Sequence, residues 1–193
     1  MRVEDIFKQA HESGGQPVSF EMFPPKGELT LERAREVASG LASLKPDFVS
    51  VTYAAGGSGN KGATAQIASM ISHEFATPSV AHLTCISLTR GELANKIAEL
   101  KGAGVENVLA LRGDMPAGTA KDAVSSDFRY AKDLIPELVD AGFCVGAAAY
   151  PEGHIECDDL ELSVRHLKQK QDAGAGFFVT QLFFDNECFY RFR

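Results

Sequence analysis

Short apolar runs alternate with amphipathic stretches along the whole of this chain. The apolar runs are rich in Val, Phe and Ala, as buried strands are. The stretches between them carry apolar residues at the spacing of a helix face. The predicted strands are residues 18–23, 48–54, 79–85, 107–113, 144–150 and 177–184. The predicted helices are residues 3–11, 31–44, 63–75, 90–101, 127–140 and 159–172.

Local signals support these boundaries. Thr89 and Glu92 have the spacing of a capping box, in which two side chains satisfy unpaired backbone N–H groups at a helix start. Three helices run into a small-residue segment that ends in glycine, at residues 102–104, 140–142 and 172–174. Glycine there can adopt the left-handed conformation that ends a helix. The recurrence predicts repeated strand–helix units.

Repeated strand–helix units predict an α/β protein with a parallel sheet. Two arrangements compete, an open doubly wound sheet and a closed (β/α)8 TIM barrel. An open dinucleotide-binding sheet would carry G-x-G-x-x-G after its first strand. Here the first strand runs into EMFPP, and the glycine-rich residues 56–59 lack that spacing. The missing motif favours the barrel.

Alternation within the strands also favours the barrel, because small or polar residues share one face and the intervening apolar residues would face the helices. The residues assigned to the inner face are Ser19 and Glu21; Ser50 and Thr52; His82 and Thr84; Ala110, Arg112 and Asp114; and Val179, Gln181 and Phe183. Six strands cannot close an eight-stranded barrel. We therefore expect residues 1–193 to be a single barrel domain cut short after about six strand–helix units, with an open sheet as the alternative.

Several apolar runs end in a polar or ionisable residue. Burial of a neutral polar group without a partner costs roughly 2–7 kcal/mol, so such placements need a structural or chemical reason. The residues in question are Glu21, Thr52, His82, Arg112, Asp114, Tyr150, His154 and Gln181. Because parallel strands end at the same edge of a sheet, we expect these side chains to line one shared pocket.

Composition narrows the partners. The chain has 193 residues, 45% hydrophobic and 23% charged, with a net charge of −7. That charge argues against nucleic acid or an anionic membrane as the main partner. No apolar run approaches the roughly 18–20 residues that span a bilayer, and the N-terminus lacks a signal-peptide core. The four cysteines lack metal-ligand spacing. We therefore expect reduced thiols, no metal and a cytoplasmic location.

The motifs at the strand ends carry a family resemblance. SFEMFPPK, SVTYAAGGSG, AHLTC, LALRGDMP, AAAYPEGH and GAGFFVTQLFFD occur in this order. In this combination the chain resembles the methylenetetrahydrofolate reductase family, from about residue 18 to its end. The resemblance implies a (β/α)8 barrel with FAD at its carboxyl edge, and NADH or NADPH as co-substrate.

The same resemblance implies an activity. Hydride from the nicotinamide would reach 5,10-methylenetetrahydrofolate through the flavin in a ping-pong reaction. The product would be 5-methyltetrahydrofolate, which feeds methionine biosynthesis. It also implies a homo-oligomer at full length. The residues that would choose between NADH and NADPH are not recognisable in the sequence.

Glu21 is the predicted general acid, at a position that matches the family's acid. The folate's five-membered ring must open before hydride adds, and an amine leaves poorly unless it is protonated. Desolvation by Phe20, Met22 and Phe23 would raise the pKa of the Glu21 carboxyl group. The alternative is a structural carboxylate paired with Lys or Arg.

Asp114 is the second predicted catalytic residue, and the resemblance places it beside the flavin and the folate pterin. An anion there would stabilise the cationic iminium that forms on ring opening. The alternative is a salt-bridged turn. The resemblance also gives Gln181 a contact with substrate. Its amide both donates and accepts, which suits a pterin or a nicotinamide carboxamide. The alternative for Gln181 is a buried structural amide.

The remaining predicted contacts come from the resemblance. Thr52 and His82 would hydrogen-bond the cofactor, although a lone strand histidine is more often a core residue. Thr52 and Ala55 would also lie at the nicotinamide site. The other residues that would bind FAD are Arg112, Gly113, Asp114, Tyr130, Ala131, Tyr150, His154, Ile155, Glu156, Cys157, His166, Gln169 and Lys170. Ser163 departs from the family's usual Asp and brings no charge.

Two other readings stay open. One is a flavin-free barrel lyase or pterin-binding transferase, since such enzymes also use carboxylates at strand ends. The other is a non-enzymatic piece that folds poorly or binds FAD weakly, because unpaired strand edges favour aggregation. Protein that binds a pterin without flavin would support the first reading.

Overall fold

The computed structural model describes residues 1–24, 31–53, 63–114, 126–157 and 159–193. Strands and helices alternate in it as the pattern predicts. The strands are β1 (Ser19–Met22), β2 (Phe48–Val51), β3 (Ser79–Thr84), β4 (Asn107–Leu111), β5 (Cys144–Ala149) and β6 (Phe177–Thr180). The helices are α1 (Val3–Ser13), α2 (Leu31–Ser43), α3 (Ala63–Glu74), α4 (Arg90–Gly102), α5 (Ala131–Asp140), α6 (Leu160–Asp172) and α7 (Asn186–Phe192).

All strand pairs are parallel, and the strands lie side by side in chain order, β1-β2-β3-β4-β5-β6. This is the order of a (β/α)8 barrel. A doubly wound sheet reverses its order at a switch point, and the described strands show no such reversal. Consecutive order brings the carboxyl ends of all six strands to one edge, which is called the carboxyl edge below. The described part of the chain contains no helix with the length and apolarity to cross a membrane.

The core lies on both faces of the sheet. A large cluster joins the sheet to the surrounding helices and includes Val51, Leu83 and Leu134. A smaller cluster on the inner face packs Val3 and Ile6 of α1 against residues near the starts of the strands, at the edge opposite the carboxyl edge. Helix α1 therefore covers the amino ends of the strands.

Asn107 ties α1 to the sheet. It is 1% exposed, and its Oδ1 accepts from the Val3 backbone N–H at 2.9 Å. Its Nδ2 donates to the Met1 carbonyl at 3.1 Å and to the Ser79 carbonyl at 3.0 Å. All the polar atoms of this buried amide are thus satisfied, which its position inside the core requires.

The face assignment predicted for β4 is wrong. Ala110 packs in the helix-side cluster, whereas Leu109 and Leu111 lie with the inner one. The prediction extended the alternation backwards from Arg112. However, β4 ends at Leu111, and the chain turns at Gly113 with φ 88°. Since the strand is apolar on both faces, its own residues give no signal of register.

The predicted start of α5 at residue 127 is also wrong, because the helix begins at Ala131. The Asp127 carboxylate accepts from the Arg90 backbone N–H at 2.7 Å, so it serves the first turn of α4. The Asp133 carboxylate accepts from the Tyr130 backbone N–H at 2.9 Å at the observed start of α5. The acidic residues of this segment therefore serve the starts of two different helices, α4 and α5. Their spacing in the sequence does not show which residue serves which helix.

The turn glycines and the capping box are confirmed. Gly104, Gly142 and Gly174 have positive φ angles of 71°, 92° and 111°. Thr89 Oγ1 accepts from the Glu92 backbone N–H at 3.3 Å, and the Glu92 carboxylate accepts from Thr89 N at 2.9 Å. These local signals act within a few residues, so the sequence alone reveals them.

Replacement of Gly146 by alanine is expected to destabilise the protein by about 1–3 kcal/mol, the usual cost of overpacking a core. A Cβ atom at Gly146 would lie 2.3 Å from Cε2 of the Phe177 ring, which packs across this glycine. Gly40→Ala on α2 is the matched control, because a Cβ there meets nothing within 4 Å. Urea unfolding of the wild type and both variants tests this prediction. A midpoint for Gly146→Ala equal to that of the wild type would show that the ring does not pack on Gly146.

Candidate functional site

Glu21 and His82 meet near the carboxyl edge, on the inner face of the sheet. His82 Nε2 lies 3.7 Å from Glu21 Oε2. The His82 side chain is 7% exposed and that of Glu21 is 46% exposed. In the register Glu21 pairs with Ser50, which pairs with Val80, so His82 stands two residues further toward the carboxyl end. Glu21 is thus reachable from solvent, while His82 forms part of the wall beside it.

Burial shifts the pKa values of both groups toward their neutral forms. It lowers the pKa of His82 to about 4 and raises the pKa of Glu21. His82 is therefore neutral at physiological pH. Its Nε2 is buried and has no hydrogen-bond partner among the described residues. A buried ring nitrogen without a partner is unusual in a folded protein and marks a place where a polar group of a ligand can bind.

The pH dependence of stability tests the burial of His82. Its pKa falls from 6.5 to about 4 on folding, so the unfolded chain takes up a proton first as the pH drops. Because of His82, the free energy of unfolding should therefore fall by about 3 kcal/mol as the pH decreases from 6.5 to 4. His82→Gln should remove this loss, whereas His11→Gln on the exposed surface of α1 should not. Urea unfolding at several pH values gives the free energy of unfolding of each variant. If this free energy depended on pH equally in the wild type and in His82→Gln, the prediction would be contradicted.

A second group of polar residues joins the end of β4 to the segment after β5. Arg112 Nη1 donates to the Glu156 carboxylate. This hydrogen bond is the main reason that the pKa of Arg112 is raised. Burial raises the pKa of Tyr150, with an opposing contribution from Arg112 and a smaller reinforcing one from Asp114. These effects place the Asp114 carboxylate and the Arg112 guanidinium near the Tyr150 hydroxyl.

Gly113 permits this turn after β4. A Cβ atom there would lie 2.9 Å from Thr84 Cβ and 2.9 Å from Ile86 Cγ2. With φ at 88°, the position is unfavourable for any other residue. The backbone between Arg112 and Asp114 therefore passes close to the end of β3.

The segment after β5 is compact. The ring centroids of Tyr150 and His154 lie 4.7 Å apart, edge to face. Burial and the Arg112 charge lower the pKa of His154, whose Nδ1 accepts from the Glu156 backbone N–H at 3.1 Å. Lys170 Nζ donates to the Ala148 carbonyl at 2.7 Å and lies 5.5 Å from the centre of the Tyr150 ring.

Lys170 is a partly buried cation. Burial lowers the pKa of its ammonium group, and no carboxylate pairs with it within the described ranges. An ammonium that is partly removed from water and lacks an anion is stabilised when one binds. Lys170 therefore marks a place for a negatively charged ligand.

Tyr130 and Ala131 lie at the start of α5 beside this group, with Ala131 buried and Tyr130 exposed. The Tyr130 ring lies 5.4 Å from the Arg129 guanidinium, and Lys132 Nζ donates to Gln169 Oε1 at 2.8 Å. Arg129 and Lys132 are not among the residues predicted from the sequence. The signal that could have identified them is a pair of cations that flank a tyrosine at a helix start.

The other predicted residues are more loosely connected. The Thr52 backbone N–H donates to the Met22 carbonyl at 3.0 Å, and that of Gln181 donates to Ala149 at 2.8 Å, so both residues extend the carboxyl edge. His166 lies close enough to His154 to lower its pKa slightly. Three further residues differ in exposure. Ile155 is 94% exposed, Cys157 is partly exposed and Ser163 is 8% exposed. Ala55 lies outside the described residues.

The described contacts thus form two groups along one edge, Glu21 with His82 and the set around Tyr150. Asp114 belongs to the second group, and Gln181 follows β6. Within the described ranges, no direct contact joins Glu21 to Asp114 or Gln181, and no three of the His, Cys, Asp and Glu side chains could hold a metal ion. A ligand long enough to reach both groups would bind along the edge.

Comparisons with known proteins agree on one family. The family model for methylenetetrahydrofolate reductase matches residues 6–193. The 5,10-methylenetetrahydrofolate reductase of Salmonella typhimurium is 40% identical over 177 residues, 91% of this chain and 58% of that protein. The "methylenetetrahydrofolate reductase (NADH) 1" of Arabidopsis thaliana is 37% identical over 205 residues, 100% of this chain and 34% of that protein. The chain thus spans little more than half of the first relative and a third of the second.

Solved structures support the barrel class. Phosphonopyruvate hydrolase matches with a TM-score of 0.66 at 13% identity, over 100% of this chain and 68% of that one. A protein from Clostridium thermocellum, described as binding two copies of 5-methyl-5,6,7,8-tetrahydrofolic acid, matches with a TM-score of 0.57 at 15% identity. That match covers 96% of this chain and 61% of the other. At these identities the likeness concerns the fold alone.

Proposed function

This chain belongs to the methylenetetrahydrofolate reductase family, and we propose that its protein reduces 5,10-methylenetetrahydrofolate to 5-methyltetrahydrofolate. NADH or NADPH is the reductant in this proposal, FAD is the cofactor, and the product feeds methionine biosynthesis. Bound FAD would supply a ping-pong hydride relay, in which the nicotinamide and the folate use one site in turn. In this proposal residues 1–193 are a single FAD-dependent barrel domain that carries this site and lacks the last strands of the barrel.

Glu21 is the observation that carries the proposal. Opening of the folate's five-membered ring breaks a carbon–nitrogen bond, and the leaving amine needs a proton. Burial raises the pKa of the Glu21 carboxyl group, so it holds its proton to a higher pH than a glutamate in water does. Because Glu21 is half exposed, it can also regain a proton from water after each turnover. These properties suit a general acid better than a structural carboxylate, which would pair with Lys or Arg.

Asp114 and Gln181 complete the substrate site in this proposal. Ring opening leaves a cationic iminium on the folate, and a carboxylate nearby stabilises that charge. Asp114 is exposed at the end of β4 and can approach such a ligand. Gln181 follows the next strand but one, and its amide can pair with the pterin or with a nicotinamide carboxamide.

The chain's residues fit FAD. The partnerless Nε2 of His82 can accept from an N–H or O–H group of the cofactor, and the partly buried Lys170 ammonium can pair with an anion such as a diphosphate. Arg112, Tyr150 and His154 add a cation and two rings beside Lys170. These groups would bind and orient the cofactor together with Tyr130, and His166 and Gln169 would lie toward its adenosine end.

The wider setting follows from the same proposal. The four cysteines are free thiols, as expected in a reducing compartment such as the cytoplasm. The net charge of −7 argues against nucleic acid as a partner. Assembly of the whole protein into a homo-oligomer stays a prediction from the family.

The direct test uses purified protein with added FAD in the absence of oxygen. NADH and NADPH are supplied separately, and flavin absorbance is followed. We expect one of them to bleach the flavin, and 5,10-methylenetetrahydrofolate to restore its colour with formation of 5-methyltetrahydrofolate, identified by mass spectrometry. Protein that takes up no FAD but binds a pterin tightly would instead support a flavin-free transferase or lyase.

A further inference from the structure

His82 stands where a charged residue would control the protonation of Glu21. Its Nε2 lies 3.7 Å from Glu21 Oε2, which is beyond hydrogen-bond length but within the range of a strong charge effect. An opposite charge this close lowers a carboxyl pKa by about 1–3 units. A cationic His82 would therefore keep Glu21 ionised and unable to donate a proton.

The fold prevents that outcome by burial. His82 is 7% exposed on β3, with Leu109 of β4 as its partner in the register. On the other side lie Ser50 of β2 and Thr52, which follows that strand, and both are uncharged. Burial is the cause of the pKa shifts of both Glu21 and His82, and no other charged group among the described residues contributes to either. Within the described ranges, the two side chains thus form an isolated pair.

We propose that His82 is a positioning residue for Glu21, which keeps that carboxyl group in its acid form by offering it a neutral imidazole with an unpartnered Nε2 lone pair. The inference rests on the proposed role of Glu21 as general acid. In this arrangement Nδ1 of His82 carries the ring proton, and the Nε2 lone pair lies beside Glu21 Oε2, where it disfavours the carboxylate anion. The proton of Glu21 then stays available for the leaving amine.

This role differs from simple contact with the cofactor. A residue that only held FAD could be neutral or cationic in ligand-free protein, whereas this role requires a neutral ring with its lone pair on Nε2. A neutral residue at position 82 should preserve the raised pKa of Glu21, whereas a cation should lower it. The charge state and tautomer of the His82 ring therefore separate the two roles, and the pKa of Glu21 tests the coupling between the two positions.

The first measurement is made on the wild-type protein, and a variant is used only to assign the signal. In protein without ligand, ¹⁵N NMR of the His82 ring should show a neutral imidazole with an unprotonated Nε2 between pH 5 and pH 7. His82→Gln assigns the signal by removing it. A ring that is charged in this range, or one with its proton on Nε2, would overturn the proposal.

The second measurement is a ¹³C NMR titration of the glutamate carboxyl groups, in which Glu21→Gln identifies the Glu21 signal. His82→Lys should lower the pKa of Glu21 by about 1–3 units, and the matched neutral variant His82→Gln should leave it close to the wild-type value. An unchanged pKa of Glu21 in a folded His82→Lys protein would contradict the proposal. If the lysine variant does not fold, the ¹⁵N result decides.

Neither measurement depends on folate reduction. A protein that shows the expected Glu21 and His82 titrations but does not reduce 5,10-methylenetetrahydrofolate would retain this pairing and lose the proposed function. A protein that reduces folate but has a cationic His82 would support the proposed function and contradict this pairing.

Discussion

Replacement of Glu21 by glutamine is expected to slow folate reduction by about 10²–10⁴-fold, the usual contribution of a general acid. Glutamine keeps the size and polarity of the side chain, but it cannot donate a proton to the leaving amine. Bleaching of the flavin by the nicotinamide needs no such proton, so its rate should be nearly unchanged. Stopped-flow absorbance measures the two half-reactions separately. Equal slowing of both would point to a binding or structural defect instead.

The role of Glu21 as a general acid also predicts the direction in which the rate of folate reduction changes with pH. Glu21 must be protonated to act, and its pKa is raised by burial. The rate of folate reduction should therefore fall as the pH rises through that pKa, by about tenfold for each further unit. Glu12→Gln is the matched control, because this exposed carboxylate lies on α1, which covers the opposite ends of the strands. A wild-type pH profile that survives in Glu21→Gln would refute the assignment.

Replacement of Lys170 by methionine is expected to weaken FAD binding by about 10- to 100-fold, since hydrogen bonds to charged groups contribute about 1.5–3 kcal/mol. Methionine fills a similar volume and removes only the charge and its donors. The prediction follows from the contacts of Lys170, which are a carbonyl oxygen and the face of Tyr150. Fluorescence titration with FAD gives the dissociation constants.

Lys168→Met on the same helix is the control for Lys170→Met. Lys168 is exposed and pairs with Asp172, so its loss should leave FAD affinity close to the wild-type value. Without FAD, Lys170→Met should be at least as stable to urea as the wild type, because it removes a partly buried charge that pairs with no anion among the described residues. Unchanged FAD affinity in a stable Lys170→Met protein would exclude Lys170 from the cofactor site.

Much of the architecture could be predicted because its signals are local. The capping box at Thr89 and the turn glycine Gly104 each depend on residues a few positions apart. The observed strands begin where the apolar runs predict, or within one residue of it. The helix boundary that was predicted wrongly depends on a contact between segments that are distant in the chain. Asp127 serves the first turn of α4 instead of starting α5, and nothing in the spacing of residues 127–140 indicates this.

The candidate site was predictable in composition but not in arrangement. Glu21, His82 and Lys170 could be singled out from strand ends and from the family motifs. The pairing of Glu21 with His82, and that of Arg112 with Glu156, could not, because each joins residues far apart in the chain. Whether these residues act as predicted is a matter for the variants above.

The alternation of strands and helices, most helix ends and the family could be predicted from the residues alone, because each depends on residue type and short-range spacing. How far each polar side chain is removed from water depends on the folded arrangement. That quantity sets the neutral state of His82, the raised pKa of Glu21 and the need of Lys170 for an anion. Desolvation depends on every element packed around a group, and no stretch of sequence carries that information alone.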